Sequence, residues 1–393
     1  MEYQLTNSER IYLGLDPIQE GWDYVEFKAD KYRPKSILVF EGQTIKRHII
    51  STNESYIEKQ YDDLTKERTI LLPKTKRGKE KKLTPSTFEN ITPKGVYFNY
   101  SLNHVQIASF TTQTTFYSTR MEELKIENIS QFKIWLKGFV NETNESNKLQ
   151  LKEFVNAKRK NVRAKAGDVF AFKVDRNNYG FGQVIENIGK IRKELPEHHS
   201  LNNLMGQPLL VKLFHYLDDS KNIDISIFKT KMSTPSQYIF DNHIFYGQYP
   251  IIGNCKIDPN ELDYPISYGK VLNGSPEVYF QWGFIHIQKP LSKYDKHLTA
   301  VNSFVPEDSP NRITNNAYAK NGVGFQLDIS KSTLLNCISN ENNNAYWSQK
   351  IYQMNTDLRN PINRDIKSEI FKEFGVDESL TYTMNLRQRN NEL

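Results

Sequence analysis

The chain carries only two cysteines in 393 residues, Cys255 and Cys337. Neither stands beside a second Cys or a His at zinc spacing, which excludes a sequence-local zinc ligand set. Both read as small apolar residues in a reducing compartment rather than as a disulfide. No apolar run approaches the roughly 18 residues that cross a bilayer. The polar opening MEYQLTNSER lacks the apolar core of a secretory signal. A cytoplasmic protein with no membrane partner is the expectation. Charge of one sign is also scarce: 52 basic residues face 46 acidic ones, a formal +6. That is a small surplus for a dedicated nucleic-acid binder.

The groups that announce catalysis are missing as well. Eight histidines are scattered along the chain, and only His198 and His199 are adjacent. Neighbours diverge on a helix and point apart on a strand, so the pair is a poor chelate. There is no HxH pair of the kind that announces a binuclear metal hydrolase. No G-x-S-x-G elbow is present, and neither cysteine has a context that would activate a thiolate. Gly180-Phe181-Gly182 and Gly322-Val323-Gly324 are GxG fragments without the rest of a phosphate-binding loop. No catalytic residue, no metal ligand and no cofactor is predicted.

What is present is strand and turn signal, densest from Ala166 to Glu186 (AGDVFAFKVDRNNYGFGQVIE). Gly167-Asp168 marks a turn, Val169–Val174 a strand, Asp175–Asn178 a polar turn, and Tyr179–Ile185 a second strand. Together they predict a hairpin. Gly180 and Gly182, two apart, bare one face of the second strand and allow a bulge or the close approach of another backbone.

This hairpin, with Pro208–Tyr216 (PLLVKLFHY), the segment YPIIGN from Tyr249 to Asn254, and Gln281-Trp282-Gly283, resembles the immunity protein 26 family over roughly residues 160–290. That bacterial family also carries the name of a phosphotriesterase. The resemblance implies binding rather than turnover, with a cognate protein toxin as partner. The predicted fold class is α+β and strand-dominated, with a central small, SH3-like or partly open β-barrel. Asp168, Tyr179, Asp218, Asp219 and Trp282 are the candidate partner-binding residues. Each also has a plainer reading. Asp168 reads as a turn cap, Tyr179 and Trp282 as core or rim contacts, and the acids as a hydrated face. Asp224, Asp258, Glu261 and Asp263 extend the acidic set.

The organisation predicted along the chain is a β-rich domain over 1–125 and a helical connector over 126–160. The immunity-like domain follows over 161–290, then a loop-rich and helical extension over 291–393. In the first domain, Thr6 and Glu9 form a capping-box pattern and Gly14 closes the helix. Strands are expected over 22–27, 36–40 and 44–50, then over 96–100, 104–110 and 114–117. The connector shows helical spacing and ends in the basic stretch Lys158, Arg159, Lys160, Arg163 and Lys165. A late strand is expected over Asn321–Ile329, and a helix over Asn363–Phe374 stopped by Gly375.

Two other functional classes stay open. Lys74, Lys76, Arg77, Lys79, Lys81 and Lys82 form a basic run that offers possible phosphate contacts for a nucleic-acid-associated protein. No stacking aromatic interleaves it, so a solvated loop is the favoured reading. A metal-dependent phosphotriesterase-like hydrolase is the third reading, and it requires a pocket lined by several histidines.

Overall fold

Thr6 starts the first helix as the spacing predicts. Its hydroxyl accepts from the Glu9 amide, and the Glu9 carboxylate accepts from the Thr6 amide at 2.7 Å. The helix is α1 (Asn7–Tyr12), followed by Gly14 at a φ of +73°. The computed structural model of the protein describes residues 3–101, 104–197, 199–271, 275–298, 318, 322–351 and 354–392. The chain divides into two units. One holds residues 1–161 with 173–177 and 246–248; the other holds 162–172, 178–245 and 249–393.

The first unit is built on an antiparallel meander. Its strands are β1 (Asp23–Phe27), β2 (Ser36–Glu41), β3 (Thr44–Ser51), β4 (Tyr56–Lys66), β5 (Ile70–Leu71), β6 (Lys81–Lys82), β7 (Lys94–Ser101), β8 (His104–Ser109) and β9 (Thr114–Ser118). The main path runs β1-β2-β3-β4-β7-β8-β9, with the β5–β6 hairpin hanging from β4. A short helix α2 (Pro85–Phe88) follows β6, and α3 (Ile129–Asn141) and α4 (Glu145–Val155) follow β9. Phe132, Leu136 and Phe139 of α3 pack with Val96, Phe98, Tyr100 and Ile107 on one face. Leu38, Phe40, Ile45, Tyr61 and Phe88 make a second cluster. Within the strands Glu58 is fully buried, receiving Arg10 Nε at 2.9 Å and the Tyr56 hydroxyl at 2.6 Å.

In the second unit the strands are β10 (Asp168–Lys173), β11 (Tyr179–Glu186), β12 (Pro208–Asp218), β13 (Gln237–Phe240), β14 (Ile251–Asn254), β15 (Ile266–Lys270), β16 (Glu277–Trp282) and β17 (Ile285–Pro290). The helices are α5 (Ile188–Ile191), α6 (Asn242–Phe245), α7 (Lys331–Asn340), α8 (Asn344–Trp347), α9 (Arg364–Phe374) and α10 (Tyr382–Glu392). Gly375 at a φ of +66° ends α9 in the left-handed conformation, as its position predicts. The glycines of the predicted hairpin behave as their spacing implies. The β11–β12 register shifts between Gly180 and Gly182, and a Cβ on Gly182 would lie 2.8 Å from the Lys212 carbonyl oxygen.

The barrel expected for the central domain is corrected. One sheet has the order β13-β12-β11-β10-β14 and another β15-β16-β17, and neither closes. β13 and β14 are four-residue strands at the two ends of the ladder and do not pair with each other, β13 meeting only a single bridge from Gly324 on its outer side, so the sheet stays open and bulged. Strand outweighs helix, 30% against 26%, and the fold is α+β and strand-rich. The late strand is corrected too. Asn321 lies outside the described residues, and over 322–329 only a single bridge, Gly324 to Ile239, is formed.

Candidate functional site

The five-stranded sheet sets the predicted contact residues apart. Asp168 opens β10 and is buried. Its carboxylate accepts from the Lys165 amide at 2.8 Å and from Asn254 Nδ2 at 2.9 Å. It thus joins the hairpin base to β14. Tyr179 opens β11, the strand antiparallel to β10, and so lies toward the opposite end of the hairpin. It is 8% exposed and packs with Val169, Phe181, Phe214 and Phe228.

The register places Asp218 directly opposite Tyr179. Asp218 accepts from the Ser220 amide at 2.9 Å and from the Tyr216 hydroxyl at 2.8 Å. Those two bonds, the amide first, hold its pKa below the usual carboxylate range. The same contact raises the Tyr216 phenol. Lys231 Nζ stands 5.3 Å from the Tyr216 ring centroid, and Asp219, next to Asp218 in sequence, is exposed. Tyr179, Asp218 and Asp219 are therefore one locality, with Tyr216 and Lys231 as members the sequence reading missed. Trp282 belongs to the other sheet, half-buried, with its ring 5.3 Å from those of Phe371 and Tyr382.

Lys74 to Lys82 make the exposed turn and second strand of the β5–β6 hairpin in the first unit. Its turn is closed by the Thr75 amide donating to the Lys79 carbonyl and the reverse bond, Lys79 N to Thr75 Oγ1. Lys74 pairs with Glu80 at 3.1 Å. Among the described residues, no three His, Cys, Asp or Glu side chains are grouped to hold a metal ion. His198 and the loop-rich passage around Pro306, Pro310 and Asn315 lie outside the described residues. Cys255 and Cys337 are free thiols.

A feature without local sequence signal lies where the C-terminal segment meets β13. Arg359 is 7% exposed in its side chain, and Asp357 is fully buried. Arg359 donates to both Asp357 oxygens at 3.1 and 2.9 Å, and to Asp263 Oδ2 at 2.8 Å. It also donates to the Ser236 carbonyl at 2.9 Å and the Ser236 hydroxyl at 3.1 Å. Burial alone would lower the guanidinium's pKa. Asp263 and Asp357 outweigh it and raise it. The result is a charged clamp holding residues 357–359 to Ser236 and Asp263.

Residues 165–277 match the family model of immunity protein 26. The matched segment contains the whole five-stranded sheet, β15, Ser236 and Asp263. It covers well under half of the chain. Asp168, Tyr179, Asp218 and Asp219 fall inside it, whereas Trp282, Arg359 and the basic hairpin fall outside. No curated protein and no solved structure gives a significant match. No described helix is long and apolar enough to cross a membrane.

Proposed function

We propose that this protein is an immunity protein that binds and neutralises a cognate protein toxin in the cytoplasm, without turning over a substrate. The observation that carries the proposal is the immunity protein 26 match over 165–277. The physical support is a bulged, tightly packed sheet of the kind that can present a contact face without reorganising.

The toxin contact is centred on the end of the sheet where β11 begins and β12 ends. Asp218 is held ionised by Ser220 and Tyr216, and Asp219 is exposed next to it. Tyr179 packs beneath this contact, while Asp168, at the other end of the hairpin, locks the hairpin base to β14. Trp282 contributes a separate rim contact. Acids in this place suit a toxin with a basic face, where they speed encounter and fix register. The test is co-purification with the product of the neighbouring gene, assayed as the cognate toxin, comparing wild type with a double reversal, Asp218→Lys and Asp219→Lys. The reversal is expected to weaken binding at least about tenfold, a difference of about 1.4 kcal/mol. Equal affinity in the two proteins moves the contact elsewhere.

A further inference from the structure

In the first unit, α1 and the turn after it face α4 across a groove of about 600 Å³. Gly14 lets the two walls come close. A Cβ there would lie 3.1 Å from Leu151 Cδ1 and 3.2 Å from Val155 Cγ2. Ile11, Leu15, Leu151 and Val155 make the apolar lining. Leu15 and Leu151 are buried, but Ile11 is left 58% exposed and Val155 41% exposed. Large apolar side chains open to water along one groove mark a contact surface.

The charges along the groove have one sign to spare. Asp16, on the α1 side, stands 3.7 Å from Arg47 Nη2, which answers it. Lys148 and Lys152 line the α4 side, one turn apart. Lys148 pairs with Glu145 at 2.7 Å, and Glu145 is 84% exposed, so water screens that bond. Lys152 is exposed, and among the described residues no carboxylate holds its ammonium. The occupant that completes the groove therefore brings an apolar stripe for Ile11 and Val155 and a carboxylate for Lys152. Its shape follows from the same residues. A small ligand buries roughly 70–90% of its surface in its pocket, and a groove whose lining stays this exposed cannot enclose one. Lys148, Leu151, Lys152 and Val155 instead form a row at helical spacing over about 10 Å of α4, which fits the ridge of a second helix.

We propose that this groove docks an amphipathic, acidic helix of another protein, roughly two to three turns long. Its apolar side chains, repeating at the spacing of one helix face, lie between Ile11 and Val155, and an Asp or Glu beside that stripe meets Lys152. Burying the exposed apolar side chains supplies the affinity, and the charges set the orientation. This helix is not the toxin surface proposed above. The acids at the end of β12 call for a basic face, and they belong to the other unit. Loss of either contact leaves the other standing.

The experiment selects displayed peptides on the full-length protein, each about 16 residues so that a helix can form on binding. Leu, Ile or Phe is fixed at helical spacing, and the other positions are free. Selected peptides are synthesised and titrated by fluorescence anisotropy. Acidic residues are expected beside the stripe, and Ile11→Ser with Val155→Ser should weaken binding at least about tenfold. Lys152→Glu should weaken it to a similar degree and restore binding to a peptide whose acids are changed to Lys, which a folding defect could not do. All three side chains are exposed, so the urea midpoints should stay near wild type. Should the double variant fail to fold, Lys152→Glu with the charge-swapped peptide decides the matter. The proposal is overturned if no peptide is selected, if basic residues are enriched beside the stripe, or if the folded variants bind as wild type does. It is equally overturned if micromolar decanoate displaces the selected peptide, which assigns the groove to a small amphiphile. A wild-type dimer that Ile11→Ser with Val155→Ser breaks also overturns it, by assigning the groove to a second copy of this chain.

Discussion

Arg359 reaches across 96 residues of sequence to donate from Nη1 to Asp263 Oδ2 at 2.8 Å, and the same guanidinium straddles fully buried Asp357. The two pairs are unequal. Asp357 has no access to water, whereas Asp263 is half-exposed and its charge is screened.

Replacing Arg359 by Met leaves the Asp357 carboxylate buried and unpaired, which should cost about 3–5 kcal/mol. Asp263→Asn keeps an acceptor for Arg359 and gives up only a screened charge, so about 0–1 kcal/mol is expected. Urea unfolding of the two variants checks the contrast. Equal losses would mean that the clamp is not organised around Asp357.

Gly182 is held by space. A Cβ there would lie 2.4 Å from Phe170 Cζ and 2.9 Å from Leu213 Cδ2 as well as against the Lys212 carbonyl. Gly182→Ala should therefore destabilise by about 1–3 kcal/mol through overpacking. A urea midpoint unchanged from wild type would contradict the close approach of β12.

His48, in the first unit, has its pKa lowered from 6.5 to about 4, by burial first and by Lys59 second, against a smaller opposing pull from Glu89. The sign follows from proton counts. Above 6.5 the imidazole is neutral in both folded and unfolded chains, so it adds no pH dependence. Between 6.5 and about 4 the unfolded chain takes up a proton that the folded chain refuses, and stability falls as pH falls. The loss amounts to about 3 kcal/mol when the window has been crossed. His48→Phe should flatten that part of the stability–pH curve, read by urea unfolding at several pH values. An unaltered slope would show that other groups carry the acid sensitivity.

The basic hairpin supplies the control for the nucleic-acid reading. Lys76→Ala, Arg77→Ala and Lys79→Ala together should leave stability within about 0.5 kcal/mol, because the three side chains are exposed. Toxin neutralisation should be unchanged. DNA or RNA binding that is abolished by this triple change and falls steeply with salt would instead revive the competing class.

Local signals were legible in the sequence wherever a residue's role is settled by its near neighbours. Thr6 with Glu9, Gly375, and the pair Gly180 and Gly182 all announce their geometry from a few positions away. β4 shows the opposite case: Glu58 and Gln60 occupy buried positions, so the alternation of apolar and polar residues that marks a half-buried strand is masked. β15 and β16 are short, and only Trp282 hinted at either. The barrel expectation failed because closure depends on whether edge strands meet, which the hairpin's wording does not encode. Arg359 was invisible for a similar reason. Its partners Ser236 and Asp263 lie far away along the chain, and nothing in the run Asp357-Leu358-Arg359-Asn360 distinguishes a clamp from a turn.

The most direct measurement is co-expression of this protein with the product of its neighbouring gene, assayed as a toxin and read by growth and by isolation of a complex. Relief of toxicity together with a stoichiometric complex of roughly nanomolar Kd is the predicted result, from an interface burying about 800 Å² on each partner. Continued toxicity with both proteins soluble and no complex formed would contradict the immunity function.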